Sequence, residues 1–264
     1  PGQKIYEKTM TPEFKALEAT VDVKAKEKWG VPPMHWLVTR YDNTRDRPQR
    51  SYAVFYDYVL QASKQLGLDP NYLHTIIVGE GVMNYLDEKQ KSGAGALDRE
   101  SNVIDSYQKA GLDNIGKYKN NLKGYLDDRY LQFIVPYASP SYNEMGEQVL
   151  PAYIHGLDTL VFAASAYIKK CYDAAKTFLE QENESSSAKN EDVLYFIAYA
   201  FFNNASVAID DIRKLGVKVY TRKYDKSLTD AQFKVRLKDT SNIRFNTLVR
   251  MSTFERMKLL EVYA

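Results

Sequence analysis

The sequence is poor in cysteine, in long apolar runs and in net charge, and each shortage excludes a class of protein. Its one cysteine, Cys171, excludes an intramolecular disulfide, a paired-cysteine redox motif and a cysteine-based zinc site. No apolar run approaches the 18 residues of a membrane span, so we predict no transmembrane segment. The net charge of +2 argues against a uniformly basic nucleic-acid-binding protein. Phosphate-binding loop and serine-hydrolase motifs are also missing.

The rest of the composition is that of a globular protein with many tyrosines. Of 264 residues, 44% are hydrophobic and 27% are charged, which is enough to build a sizeable core. Each of the 21 tyrosines combines a flat apolar ring with a hydroxyl group, and this combination suits the recognition of sugar rings. Alternatively, the tyrosines fill half-buried helix positions. Composition leaves both interpretations open.

Charge is distributed unevenly along the chain. Residues 1–212 carry 23 basic and 29 acidic side chains, a net charge of −6, whereas residues 213–264 carry 13 and 5, a net charge of +8. We therefore divide the chain into an N-terminal helix and loop (1–50), a main helical domain (51–216) and a basic C-terminal extension (217–264). The extension is interpreted as a docking appendage for a polyanion, or alternatively as a solvated face that keeps the protein soluble.

Apolar periodicity predicts a mainly α fold. Helices are expected from Pro12, from about Ser51 to Gly67, and over residues 156–179, where apolar side chains recur at helical spacing. Residues 191–202 are apolar enough for a central helix, and a further helix is expected to end at Gly216.

Two stretches have weaker patterns. We predict short helices joined by loops over residues 112–150. Short strands are expected in the basic extension, over residues 217–224 and 243–250.

One acidic residue stands out by its placement at the end of a predicted helix. Asp69-Pro70 is a typical helix start, and Leu73, Ile76 and Glu80 follow on one face. A carboxylate on an apolar face and in the last helical turn is disfavoured by burial and by the helix dipole, so we expect a raised pKa for Glu80. A protonated carboxyl is what a general acid for glycosidic-bond cleavage requires. The alternative is a glutamate at a fraying helix end.

Two segments resemble the lysozyme-like superfamily, in particular lytic transglycosylases and goose-type lysozymes. Residues 68–81 (LDPNYLHTIIVGEG) are similar to the helix that carries the family's catalytic glutamate, and residues 198–205 (AYAFFNNA) are similar to a later helix end that lines the sugar cleft. The resemblance covers roughly residues 50–216. It implies a lysozyme-like helical domain, with Glu80 as general acid and base and with Gly81, Tyr199 and Asn203 near the substrate.

The sequence also departs from the family pattern. Gly81 stands where serine is usual, and Asn204 stands where alanine is commoner, so the second segment could be aligned one residue away. Candidates for a second carboxylate are Asp105, which lies 25 residues after Glu80, and Asp98, which could instead cap a helix. Because lytic transglycosylases need only one glutamate, we favour the mechanism with a single carboxyl group.

The resemblance implies cleavage of peptidoglycan glycan strands in the cell envelope by a muramidase (a hydrolase) or a lytic transglycosylase. The alternative is a non-catalytic glycan-binding or structural helical protein of a cell-wall or phage-like injection system. Besides peptidoglycan, the basic extension could bind an anionic wall polymer or a carrier protein, and no nucleic acid is expected. We predict no cofactor and no metal, because the histidines lack ligand spacing, and we place His74 on the surface of its helix.

Overall fold

The computed structural model describes residues 1–35, 48–81, 122–136, 141–142, 148–149, 152–154, 156–225 and 243–264. The mainly α fold is confirmed, since helices account for most of these residues. In chain order the elements are α1 (Gly2–Thr9), α2 (Pro12–Trp29), α3 (Pro48–Leu66), α4 (Pro70–Gly79), α5 (Asp128–Leu131), β1 (Ile134–Pro136), β2 (Ser141–Tyr142), β3 (Gln148–Val149), β4 (Ala152–Ile154), α6 (Leu157–Gln181), a 3-10 turn (Ser187–Lys189), α7 (Glu191–Leu215), α8 (Val217–Tyr220) and α9 (Ile243–Leu259).

The chain forms two compact units. Unit 1 comprises Pro1–Thr11, Trp36–Tyr167 and Val262–Ala264, and unit 2 comprises Pro12–His35 and Ile168–Glu261. The boundary between them falls inside α6.

Unit 1 is built around α3, which packs against α1 and α4. Four side chains at helical spacing, Tyr52, Phe55, Tyr56 and Val59, are fully buried and form the inner face of α3. Gly2 lets α1 approach closely, because a Cβ atom there would meet the carbonyl oxygen of Ala53 at 1.8 Å. The close approach of α1 and α3 therefore requires glycine at this position.

Two small antiparallel ladders lie between α5 and α6 in the sequence. β1 pairs with β4, with Ile134 opposite Ile154, and β2 pairs with β3. The side chains of Ile134 and Ile154 are both fully buried, which anchors the first ladder in unit 1. The prediction of only short helices and loops over 112–150 is therefore wrong where the structure describes β1, β2 and β3.

Unit 2 is a packing of long helices in which α9 lies against both α2 and α7. Four apolar side chains of α9, Leu248, Met251, Phe254 and Met257, are buried. All four lie in residues 217–264, the stretch that the sequence analysis assigned to a basic extension.

The strands predicted over 217–224 and 243–250 are wrong, because these stretches form α8 and the first half of α9. Arg244 of α9 stabilises the short helix α8. Its guanidinium donates to the carbonyl oxygens of Val219, Tyr220 and Arg222 at 3.2, 2.7 and 2.9 Å. Carbonyl groups at a helix end need such donors, and here a distant residue of the chain supplies them.

One described helix, α7, is long and apolar enough to cross a membrane on length and composition alone. Its most apolar stretch is 56% buried within the protein, and the core helix of a soluble protein passes the same test. The prediction that the chain has no transmembrane segment stays a prediction.

Candidate functional site

The helix that carries the candidate acid, α4, begins and ends as the sequence predicts. Asp69 caps its start by accepting a hydrogen bond from the backbone N–H of Asn71 at 2.8 Å, and Pro70 occupies the first turn. The helix ends where the N–H of Glu80 donates to the carbonyl oxygen of Ile76 at 2.9 Å. Gly81 follows with φ of +106°. Glycine is therefore required at 81 by the backbone that stops the helix.

The middle of α4 is buried on every side rather than on one face. Every residue from Tyr72 to Val78 is buried, including the polar His74 and Thr75. The apolar stripe that singled out Glu80 is therefore one side of a helix buried on all sides. Glu80 itself is half-buried and lies directly after the last residue of α4.

The surface position predicted for His74 is wrong. Its side chain is fully buried, and its Nδ1 lies 2.8 Å from the hydroxyl oxygen of Tyr263. The rings of Phe55 and Tyr56 lie 5.4 and 5.7 Å from the imidazole, centroid to centroid. No local pattern in the sequence indicates this environment, because the hydrogen-bonding partner lies 189 residues further along the chain.

Tyr199, which the resemblance places near the substrate, either to support Glu80 or to stack on a sugar, is a packed residue of α7 in unit 2. It is 2% exposed, and its ring stacks on Phe202 with centroids 6.0 Å apart. The guanidinium of Arg250 lies 5.4 Å from the centre of the same ring. Arg250 therefore contacts one of the predicted site residues. Arg250 could not be identified from the sequence, because the fold and not the local sequence brings it next to Tyr199.

Asn203 occupies a different environment one helical turn further on. Its side chain is exposed, and so are those of Asn204, Ala205 and Ser206. α7 is broken at this point, because Asn204 has an extended backbone with φ −159° and ψ 100°. The Oδ1 of Asn204 accepts a hydrogen bond from the N–H of Val207 at 3.2 Å and caps the second half of the helix.

The predicted site residues therefore fall into two groups. Glu80 and Gly81 belong to unit 1, whereas Tyr199 and Asn203 belong to unit 2. Asp98 and Asp105, the candidates for a second carboxylate, lie outside the described residues. In the part of the chain that the structure describes, no three His, Cys, Asp or Glu side chains are grouped as a metal site would require.

The chain matches no protein-family model, no curated protein and no solved structure. The lysozyme-like resemblance thus rests on the two sequence segments, 68–81 and 198–205, and stays a prediction.

Proposed function

We propose that this protein cleaves the glycan strands of peptidoglycan, with Glu80 as its general acid and base. The observation that carries the proposal is the position of the half-buried Glu80 at the C-terminal end of a helix whose residues 72–78 are all buried. A rigid helix fixes the backbone of the residue, while the half-buried side chain remains accessible to a substrate. The partial negative charge at that end of the helix disfavours a further negative charge beside it.

The proposed reaction uses one carboxyl group twice. Glu80 donates its proton to the glycosidic oxygen between N-acetylmuramic acid and N-acetylglucosamine, and the bond from the anomeric carbon to that oxygen breaks. The resulting carboxylate then accepts a proton from the nucleophile as the nucleophile bonds to the anomeric carbon. This nucleophile is the sugar's own 6-hydroxyl in a lytic transglycosylase and water in a muramidase.

The burial of Tyr199 changes its proposed role. A ring that is 2% exposed and covered by Phe202 and Arg250 offers no free face for a sugar. We therefore propose that Tyr199 stabilises the part of α7 that precedes Asn203, by packing against Phe202. The exposed amide of Asn203 can both donate and accept hydrogen bonds, which suits an acetamido group of the substrate.

The test is the isosteric substitution Glu80→Gln. It removes the acid but keeps the shape of the side chain, so we expect clearing of purified sacculi to slow at least about 100-fold. Glu180→Gln, at an exposed position of α6, is the matched control and should clear like the parent. Mass spectrometry of the products separates anhydro ends from reducing ends. Equal clearing by Glu80→Gln and the parent would show that Glu80 is not the acid.

A second candidate function is non-catalytic glycan binding, or a structural role in a cell-wall or phage-like injection system. The observation in its favour is Gly81, whose positive φ accounts for the glycine at 81 by helix termination alone. A chitooligosaccharide that binds but stays intact over a long incubation would favour this candidate.

An anionic wall polymer or a carrier protein remains a proposed partner of the basic segment. Within its described part, Arg244 and Arg256 bind carbonyl or carboxylate partners of the same unit, whereas Lys218 and Lys223 are exposed. The Nζ of Lys223 also lies 3.5 Å from the carbonyl oxygen of Glu27, which is long for a hydrogen bond. We propose these two lysines as the contacts for a polyanion. Reversing both charges should weaken binding to wall polymer most at low salt.

A further inference from the structure

A short segment after α9 returns to unit 1 and contacts the helix that carries Glu80. α9 ends at Leu259, and the chain turns at Glu261, whose φ of +52° lies in a region that residues other than glycine rarely adopt. Val262 is then fully buried, and Val262–Ala264 group with unit 1. We call these three residues the 262–264 segment.

Tyr263 of this segment meets His74 of α4 through a hydrogen bond and a ring contact. The hydroxyl oxygen of Tyr263 lies 2.8 Å from Nδ1 of His74, and the two ring centroids are 5.7 Å apart. The rings of Tyr56 and Tyr263 also pack edge to face, with their centroids 5.7 Å apart. Burial, with a smaller contribution from Tyr56, raises the pKa of Tyr263 well above its usual value, so the phenol keeps its proton.

The contact is close enough to Glu80 to matter for its placement. Glu80 follows His74 by six residues, which is about 9 Å along a helix axis. A helix buried on all sides is oriented by its side-chain contacts, and His74 is the α4 side chain whose ring nitrogen reaches the 262–264 segment. A small rotation of α4 would move the carboxyl group of Glu80 away from the bond to be cleaved.

We infer that Tyr263 is a positioning residue, which holds α4 through His74 and thereby sets the direction of the Glu80 carboxyl group. This inference rests on the proposed function of Glu80. The 262–264 segment acts as a strap on α4, and its hydroxyl–imidazole bond is the specific element of the strap.

The experiment compares Tyr263→Phe, His74→Phe and the double variant in the full chain. Each single change removes one partner of the hydrogen bond and keeps an aromatic ring. Hydrogen exchange of the α4 amides and kinetics on a soluble N-acetylglucosamine–N-acetylmuramic acid oligosaccharide are measured for each. Tyr220→Phe is the matched control, because the buried hydroxyl of Tyr220 has no hydrogen-bond partner within the described residues.

We expect Tyr263→Phe to speed exchange at α4 about tenfold and to lower kcat about tenfold, with KM nearly unchanged. The double variant should be no worse than the more affected single variant, since both remove the same bond. Tyr220→Phe should match the parent in exchange and in kcat. A contact that only stabilises α4 would speed exchange and leave both kcat and KM at their parental values.

Two outcomes would overturn the inference. In the first, the α4 amides of Tyr263→Phe exchange as slowly as those of the parent. In the second, exchange accelerates but kcat stays at the parental value. If the parent itself releases no sugar, the proposed function fails and with it the catalytic part of the inference. In that case, the hydrogen exchange of the α4 amides in Tyr263→Phe and in the parent still tests whether the 262–264 segment stabilises α4.

Discussion

Arg256 donates a hydrogen bond from its Nε to Oδ1 of Asp22 over 2.6 Å, although the arginine side chain is fully buried. Its Nη2 donates to Oε2 of Glu18 at 2.8 Å, so one guanidinium of α9 binds two carboxylates of α2. The other oxygen of Asp22 lies 2.6 Å from Nε2 of His35. A buried cation is tolerated only when it is paired in this way, so these contacts tie α9 to α2 in unit 2.

Replacement of Arg256 by Met should destabilise unit 2 strongly. The substitution keeps an apolar chain of similar length but leaves Asp22 and Glu18 without their cation, which costs about 3 kcal/mol in the free energy of unfolding. Both carboxylates retain some access to water, which holds the loss near the lower end of the range for buried pairs. The loss in the free energy of unfolding is measured by urea denaturation, with circular dichroism as the signal.

The control for this prediction is Lys15→Met on the exposed side of α2, which should change stability by less than about 0.5 kcal/mol. Asp22→Asn keeps a hydrogen-bond acceptor and should fall between the two. Equal unfolding midpoints for Arg256→Met and Lys15→Met would show that the ion pairs contribute nothing.

Gly30 should be much less tolerant of substitution than Gly67. Both have positive φ, +77° and +67°, so alanine at either position is strained by about 1 kcal/mol. At Gly30 a Cβ atom would also lie 1.9 Å from the carbonyl oxygen of Tyr224, whereas nothing lies within 4 Å at Gly67. Thermal unfolding should therefore show a clearly larger loss for Gly30→Ala. Equal losses for Gly30→Ala and Gly67→Ala would contradict this prediction, because they would show that the backbone at Tyr224 can move away from the added Cβ atom without destabilising the fold.

The sequence predicted elements well where local signals specify them. Asp69-Pro70 marks the start of α4, and the apolar spacing of residues 156–179 marks α6, which spans Leu157–Gln181. The expected break between 191–202 and a helix ending at Gly216 is also confirmed, as the kink at Asn204. These features depend on caps, turns and periodicity within a few residues.

The sequence failed where a distant residue decides the structure. Val217, Val219 and Tyr220 have strand-forming side chains, yet they form α8 because Arg244 binds its carbonyl groups. His74 is buried because Tyr263 reaches it from the other end of the chain. Periodicity found the helix of Glu80, but it could not show that every side of that helix is buried.

Alkaline pH should destabilise unit 2 through Tyr220. Burial raises the pKa of Tyr220 well above its usual value, with Arg244 opposing the shift, so the folded protein keeps the phenol proton. The unfolded chain loses that proton above about pH 10. The stabilisation is therefore complete below pH 10 and declines as the pH rises further. Phenolate absorbance and circular dichroism should show unfolding together, at a higher pH in Tyr220→Phe than in the parent. Coincident curves for the two proteins would contradict this prediction.

Asn203 and Asn204 provide a test that separates substrate binding from stability. Asn204 caps the second half of α7 by accepting the N–H of Val207, so Asn204→Ala should cost about 1 kcal/mol in the free energy of unfolding. Asn203 has an exposed side chain, so Asn203→Ala should leave the unfolding midpoint unchanged. On the proposed function, Asn203→Ala instead raises KM for an N-acetylated oligosaccharide about tenfold, because it loses a hydrogen bond to the acetamido group.

The two variants should thus show opposite patterns, with Asn204→Ala altering urea unfolding and Asn203→Ala altering only KM. Asn203→Asp is the informative companion, since a carboxylate keeps an acceptor for the acetamido N–H but loses the donor for its carbonyl oxygen. If Asn203→Ala binds and cleaves like the parent, the amide does not contact the sugar. If Asn204→Ala unfolds like the parent, the break in α7 is held by the packing of Phe202 and Ala208 on either side of it, and not by the cap.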